Sequence, residues 1–518
     1  MKTMYTNGNI YTMEKQQPKV EAVLTENDKI LAAGKRKDLQ TQAERIVDLE
    51  GKTLLPAFVD SHSHLAGVAN GLLQVDLSEV VCFAEVKQKI LDFIKMSGLE
   101  KGKWILAKGI NHGNLKEKQL PTKSFLDEIT TEYPLVVQHT SGHSGVWNSA
   151  GLEELGITAQ TQYPSGGRIN FETGILEEAT FIEMIQKVPM PSLQALSDAF
   201  VQAQRLYASY GISTIQEGMF MAPLQGIYQM LYAEKKLFLD VVGYVDLLHD
   251  PALIDAFPKC KNQYNNHLKI GGYKVILDGS PQSKTAWTTK HYDDGTNGFG
   301  LLDDDKLFDL VAYAVKQKQQ LLMHANGDAA IDQYLRVYAA VKEQFGDAVR
   351  PVLIHGQMAR IDQLQMMKQL GVTPSFFAAH VYHWGDLHYE QMGAQRASQI
   401  SPLHSAMLYD IPFTLHQDAP VIPPNMMETV WCAVTRKTKQ GKILGGFEKI
   451  TPYDAIFALT YQSANQYGEE NQKGSIKAGK QADFVILDKD PMQIEPEGLR
   501  DVGVFATIKN GNTIYQIL

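Results

Sequence analysis

The stretch Leu55-Pro56-Ala57-Phe58-Val59-Asp60-Ser61-His62-Ser63-His64 runs from an apolar, strand-like segment straight into a pair of histidines. In an extended chain, residues two apart face the same side, so the imidazoles of His62 and His64 can reach one ion. A His-x-His pair alone is weak evidence, because two histidines are as often ordinary surface or core residues. Its place at a strand end, with Asp60 beside it as a partner for an imidazole, favours ligation.

Working outward, strand-like apolar runs recur at 53–59, 213–216, 238–245, 269–277, 320–323, 351–354, 373–377 and 411–415. Helical spacing separates them at 196–208, 304–318, 329–345, 361–370 and 398–409. Strand and helix in alternation imply a parallel sheet. Polar residues stand at or just after the run ends: His62, His64, Glu217, Asp246, Asp278, His324, His355, His380 and Asp418. That is where a (β/α)8 barrel builds its site. From Glu217 to His355 the steps are 29, 32, 46 and 31 residues, suitable for one βα unit each, whereas His64 to Glu217 spans 153. An insertion at about 66–190 is therefore expected after the first strand, lying over the barrel mouth as a lid. Residues 1–53 read as short strands with turns, and 466–518 repeat that texture around Asn510-Gly511-Asn512. The expected fold is α/β: a (β/α)8 TIM barrel over 54–465, with its insertion, and a small β-sandwich built from both termini.

The chain has 518 residues, 44% hydrophobic and 21% charged, a globular mix with enough apolar material for a sizeable core. Forty-nine Lys and Arg against 58 Asp and Glu give a formal charge of −9, with no basic block to neutralise a row of phosphates. Nucleic acid is excluded as the expected partner. The three cysteines, Cys82, Cys260 and Cys432, suit neither a disulfide framework nor a Cys-x-x-Cys zinc site. The polar N-terminus carries no export signal, and no apolar run approaches the ~18 residues that span a bilayer. A cytoplasmic protein is expected, with a small-molecule substrate, no membrane, and a second copy of itself, as a homodimer, for protein partner.

His324 and His355 follow apolar strands and would converge with His62 and His64 on one rim. Asp418 closes the set after the eighth strand, in Leu415-His416-Gln417-Asp418-Ala419-Pro420. Imidazole with carboxylate suits zinc or another first-row metal, one or two ions. Coordination can lower the pKa of water to ~7, and a nearby carboxylate handles the protons, so Asp418 is the expected general base. Lys274, on the fourth strand, reads either as a charged end snorkelling outward or as a desolvated neutral amine able to take up carbon dioxide as a bridging carbamate.

These residues resemble the amidohydrolase superfamily, specifically its amidohydrolase-3 branch, which includes N-substituted formamide deformylases. The resemblance runs through almost the whole chain. It rests on 55–64, Ser141-Gly142-His143 with Asn148-Ser149, Gly174-Ile175-Leu176-Glu177-Glu178, 274–280, His324-Ala325-Asn326-Gly327-Asp328, His355, Asp418-Ala419-Pro420 and 474–484. By resemblance, His62 and His64 would bind the more buried metal, His324 and His355 the more exposed one, Lys274 would bridge as a carbamate, and Asp418 would bind metal and shuttle the proton. His143 would face the substrate and polarise its carbonyl. Glu177 reads either as a substrate ligand or as a helix-start carboxylate, and Trp287 and Asp328 are further candidate substrate-binding residues. Ala57, Ile354 and Gln417 depart from the usual glycine, acid and serine of that pattern.

The expected reaction is metal-dependent hydrolysis of a carbon-nitrogen bond in an amide or N-acyl group. Alternatives are a heterocycle deaminase, a lactone or ester hydrolase, and a barrel that has lost its chemistry and serves as a scaffold. Deaminases commonly place a glutamate three residues after the fifth-strand histidine; here that residue is Gly327. Converging ligands argue against a scaffold. Trp104, Trp147, Trp287, Phe376, Phe377 and Trp384 suggest an apolar pocket for an aromatic or bulky substrate.

Overall fold

The computed structural model describes residues 1–162, 165–189 and 191–517; residue 190, the expected end of the insertion, and Leu518, the last residue of the expected terminal strand, lie outside them. The chain is mixed α/β and divides into two units, one of Met1–Ala66 with Ala203–Leu518 and one of Gly67–Gln202.

In the first unit, eight strands form a curled parallel sheet in sequence order: β1 (Phe58–Val59), β2 (Ile212–Phe220), β3 (Asp240–Asp246), β4 (Leu268–Ile276), β5 (Gln320–Ala325), β6 (Val349–His355), β7 (Thr373–Phe376) and β8 (Thr414–Leu415). Its two outer strands are joined beyond their ends. Ser61 Oγ donates to the Leu415 carbonyl at 2.8 Å, the His64 N–H to Ala419 O at 2.7 Å and the Asp418 N–H to His62 O at 3.2 Å. Side chains alternate along each strand, and Val59, Val242, Tyr244, Leu322, Val352 and Ile354 fill the interior with Tyr467. Helices separate the later strands. α1 (Asp304–Lys316) starts where the Asp303 carboxylate accepts the Lys306 N–H at 2.8 Å, and it buries Leu307, Leu310, Val311, Ala314 and Val315 at three- and four-residue steps.

Two expected elements differ. The run 53–59 is shared between two sheets: Thr53–Pro56 pairs with Phe484–Leu487, and only Phe58–Val59 enters the parallel sheet. Pro56 has no N–H to continue a ladder, and the Ala57 and Phe58 N–H groups turn to Asp483 O and Gly211 O respectively. The helix expected at 398–409 is α3 (Leu403–Leu408), beginning after Pro402, with α2 (His380–Ala397) before it. Pro402 and a left-handed Ser401 (φ 46°) separate the two.

Both termini build one eight-stranded sheet, in which Lys2–Tyr11 lies between Lys19–Glu26 and Thr53–Pro56, and Phe484–Leu487, Val504–Lys509 and Asn512–Gln516 extend the other edge. Tyr5, Ile10, Val23, Leu54, Phe484, Ile486 and Ile508 form its core. A buried ionic network ties this sheet to the base of the parallel one. Asp240 Oδ2 accepts from Lys473 Nζ at 2.5 Å and Lys509 Nζ at 2.7 Å, and Asp240 Oδ1 faces His267 Nδ1 at 2.8 Å. Burial would raise the Asp240 carboxyl, but Lys473, Lys509 and His267 hold it well below its ordinary value. A depressed carboxylate contributes stability above its unfolded value, about 3.9, and loses that contribution as pH falls through the folded value. Asp240→Asn removes the carboxylate that Lys473 and Lys509 share, leaving Lys473 to Glu469 at 3.1 Å and Lys509 to Asp483 at 2.7 Å. It should cost about 1.5–3 kcal/mol in urea unfolding at pH 7, while flattening the acid limb of the stability curve. An unchanged midpoint would contradict that role.

The second unit holds a six-stranded mixed sheet in the order Gly167–Asn170, Ile175–Glu177, Ser144–Trp147, Leu135–His139, Ile105–Ile110, Val75–Asp76. Val86 and Ile90 of the helix Phe83–Ser97 pack on Ile105, Leu126, Leu135 and Val137. Among the described residues, no helix is long and apolar enough to cross a membrane, and the three cysteines are unpaired.

Candidate metal centre

The ends of β1, β2, β4, β5, β6 and β8 carry the chemistry. His62 and His64 leave β1 and meet Asp418, which follows β8; one ligand atom from each lies within 4.8 Å of the others. His62 Nε2 is 3.4 Å and His64 Nε2 3.3 Å from Asp418 Oδ1, and His355 Nε2 is 3.8 Å from Asp418 Oδ2. Lys274 Nζ is 3.4 Å from His62 Nε2. The His324 and His355 rings stand edge to face, 4.6 Å between centroids, and His62 is 5.5 Å from His355.

Backbone geometry explains how these side chains converge. Leu322 faces the interior, so His324, two residues on, follows it. Ile354 also faces the interior, and regular alternation would turn His355 away. His355 instead takes a left-handed conformation (φ 74°), as does Asp418 (φ 55°), and each is thereby re-aimed. Gly218 is required beside His62, since a Cβ there would lie 2.7 Å from its Cε1.

Burial governs the electrostatics. It holds His62 and His355 well below the ordinary imidazole value, with Lys274 and the neighbouring rings adding to the effect, so both are neutral and able to offer a lone pair. It pulls Lys274 down to about 7 against the attraction of Asp418. Lys274 is 2% exposed and pairs in register with inward-facing Leu322, so it does not snorkel outward. Asp418 stays below the usual carboxylate range: burial would raise it, but His64, His416 and Lys274 outweigh that.

The structure also shows neighbours that the sequence left unassigned. Gln216 Oε1 is 2.6 Å from His62 Nδ1, and Glu217 Oε1 is 4.0 Å from His64 Nδ1 while its Oε2 accepts the Ala66 N–H and the Tyr228 hydroxyl, each at 2.8 Å. Consecutive strand residues normally face opposite ways; the register of β2 against β3 shifts between Glu217 and Phe220. His416 lies 3.1 Å from His355 Nδ1, and its His-x-Asp spacing to Asp418, parallel to His62-x-His64, was the available signal.

Other expected site residues have their own partners. Asp328 accepts from Thr289 and from Arg360 at 3.0 Å. Trp287 donates its backbone N–H to Asp278, whose carboxylate also takes the Asn326 and Gly327 N–H groups. Asp246 caps the turn at Leu248 and His249, and His380 pairs with His388 at 3.1 Å. In the second unit, His143 Nδ1 faces Glu178 at 3.1 Å and Glu177 faces Arg168 at 3.5 Å. Of the aromatics expected to line a pocket, Trp147 packs with Phe181 in the core of that unit, and Phe376 and Phe377 are both buried, at 0% and 1% exposure, which removes all three as exposed lining residues. Phe377 approaches the centre, 5.4 Å from His416, with Trp384 behind it at 6.0 Å.

The donor set fits a divalent cation. His324 Nδ1 and Asp418 Oδ1 are buried with no hydrogen-bond partner: the first has Asp278 Oδ1 at 3.3 Å and the second His62 Nε2 and His64 Nε2 at 3.4 and 3.3 Å, all at ion-pair distance without hydrogen-bond geometry. Buried polar atoms left unsatisfied in a cluster of imidazoles around a carboxylate are what a ligating site presents before its ion is added.

Comparison with known proteins agrees. The amidohydrolase family profile matches residues 45–515. N-substituted formamide deformylase of Arthrobacter pascens is 26% identical over 99% of this chain and 98% of its own length, and the protein LONG AFTER FAR-RED 3 of Arabidopsis thaliana is 28% identical over 99% and 91%. An uncharacterized metal-dependent hydrolase from Pyrococcus horikoshii OT3 superposes with a TM-score of 0.76 at 25% identity, covering 96% of this chain and 99% of that one. With its fold, the ordered series of strand-end imidazoles and carboxylate and a family match over nearly the full length, the chain belongs to the amidohydrolase family.

Proposed function

We propose that the protein hydrolyses a carbon-nitrogen bond of an amide or N-acyl small molecule, using one or two divalent ions, zinc in this reading, that His62, His64, His324, His355 and Asp418 would hold, with Lys274 as a carbamate that would bridge where two are bound. In this reading the curled sheet is a (β/α)8 barrel whose rim carries the centre, and the terminal sheet is its β-sandwich. The observation that carries it is the meeting of His62, His64 and Asp418 beside a buried, near-neutral Lys274. Bound there, the ion supplies Lewis acidity and lowers the pKa of water to ~7. Asp418 takes the proton of the attacking water and returns it to the leaving nitrogen, and its depressed pKa keeps it able to accept at neutral pH. His143 is assigned to the substrate carbonyl, so His143→Ala should lower kcat/KM with metal content unchanged; loss of metal instead would contradict it.

The deaminase alternative is disfavoured by packing. A Cβ at position 327 would lie 1.9 Å from the Trp287 carbonyl oxygen, so the glutamate that such enzymes carry there has no room. Trp384, half-buried beside His380, favours an apolar or aromatic acyl group. The test is a panel of N-acyl compounds, formamides, lactones and amino-heterocycles assayed before and after chelation. Amide or formamide cleavage should vanish with the chelator and return with zinc or manganese. Purified protein without stoichiometric metal, and inert after metal addition, would end the proposal.

A further inference from the structure

We propose that Ser61 and Ser375, acting through His416, are positioning residues that present the Nε2 lone pair of His355 to a metal ion, an inference that rests on the metal-centre reading above. The groups form an unbranched chain, and with the Leu415 carbonyl as its terminal acceptor one direction of donation satisfies every contact in it. The Leu415 carbonyl can only accept, and Ser61 Oγ lies 2.8 Å from it, so the Ser61 proton is committed there. Ser61 Oγ, 3.2 Å from Ser375 Oγ, is left to accept, and Ser375 gives it its single proton. Ser375 Oγ then has only lone pairs for His416 Nδ1 at 2.8 Å, which puts a proton on that nitrogen. A neutral imidazole has one N–H, so His416 Nε2 accepts, and His355 Nδ1, 3.1 Å away, donates. His355 Nε2 is left bare, and it is the nitrogen that faces Asp418.

The same residue sets the other half of the centre. The Ser61 carbonyl accepts from Gln216 Nε2 at 2.7 Å. The second amide proton goes to Tyr467 Oη at 3.0 Å, whose own proton goes to Asp60 O at 2.6 Å. With its nitrogen fixed by two acceptors, Gln216 can offer only Oε1 to His62 Nδ1, so His62 also carries its proton on Nδ1 and leaves Nε2 bare. Ser61, Ser375, His416 and Gln216 are all fully buried, so each depends on the partners the chain provides. Among the described residues His355 Nδ1 meets His416 at 3.1 Å and no carboxylate, and the serine relay takes the place such a group would hold.

Reversing the relay, with the Ser61 proton on Ser375, would end with the proton on His355 Nε2 and block ligation. Metal-free full-length protein labelled with 15N-histidine distinguishes the two directions by the two-bond correlations of the imidazoles, with His416 and His355 assigned by their loss in His416→Gln and His355→Gln. The expected wild-type spectrum has both rings as Nδ1–H. Ser375→Ala should move both toward Nε2–H and weaken zinc, measured by chelator competition, by about 10–100-fold. A wild-type His355 protonated on Nε2, or a Ser375→Ala protein with unchanged tautomers and zinc affinity, overturns the relay. The wild-type spectrum decides by itself if the variant does not fold. Wild-type protein with the expected tautomers but no zinc affinity would overturn the metal-centre reading and not the relay.

Discussion

Asp418→Asn is expected to keep the fold and lose about 10²–10⁴-fold in turnover, the usual contribution of a positioned proton-transfer group. The substitution is well matched to the backbone. Asp418 sits at φ 55°, a conformation that asparagine tolerates better than most residues. Its N–H bond to His62 O at 3.2 Å and its carbonyl bond to the Val421 N–H at 2.9 Å are main-chain contacts that survive. What changes is charge. The carboxylate faces His62, His64 and His355 within 3.3–3.8 Å, and the amide can neither accept a water proton nor balance a divalent ion. Metal content should fall less than activity, because the imidazoles remain. Steady-state kinetics, elemental analysis and circular dichroism on one preparation separate these effects. Near-normal kcat/KM would remove Asp418 from the proton path.

The elements that bear on this prediction differ in how visible they were in the sequence. His62, His64, His324 and Asp418 follow apolar runs at strand ends. Alternation with period two puts His62 and His64 on one side together and carries His324 inward after Leu322, but it does not aim the first pair, which lies an odd number of residues beyond interior Val59. The order and parallel sense of the long strands followed from their spacing with helices. His355 was identified from its place after Val352-Leu353-Ile354, but not the reason it points inward, because a left-handed residue after a β run leaves no compositional mark. Thr53–Pro56 could not be told from Phe58–Val59 by hydrophobicity, since both are apolar; only the missing N–H of Pro56 marks the change of sheet. Gln216, Ser61, Ser375 and His416 are common polar residues whose importance comes from contacts made across 154, 314 and 41 positions of sequence. Trp147 and Phe376 show the converse, because an aromatic residue in a chain reads alike whether it lines a pocket or fills a core.

Lys274→Ala should have the second large effect, and on metal content before activity. The wild-type amine is buried, lies 3.4 Å from His62 Nε2 and titrates at about 7. Below that pH it is an ammonium and cannot attack carbon dioxide; above it, the lone pair is free to form the N–C bond, one N–H proton leaves to solvent, and the product carries a single negative charge with two oxygens. Zinc loading in bicarbonate should therefore rise as pH increases through 7. A carbamate would supply the charge that neutral His62 and His355 lack, so its loss should cost more than the 10–100-fold that outer partners of a metal site typically cost. In Lys274→Ala that dependence on bicarbonate should vanish and bound zinc should drop. Formate or acetate can enter the space left by the side chain and should restore part of both zinc and activity. If the variant binds zinc as well as wild type, with the same pH profile and no response to added carboxylate, the lysine has no part in the centre and the remaining imidazoles and Asp418 must hold the ion alone.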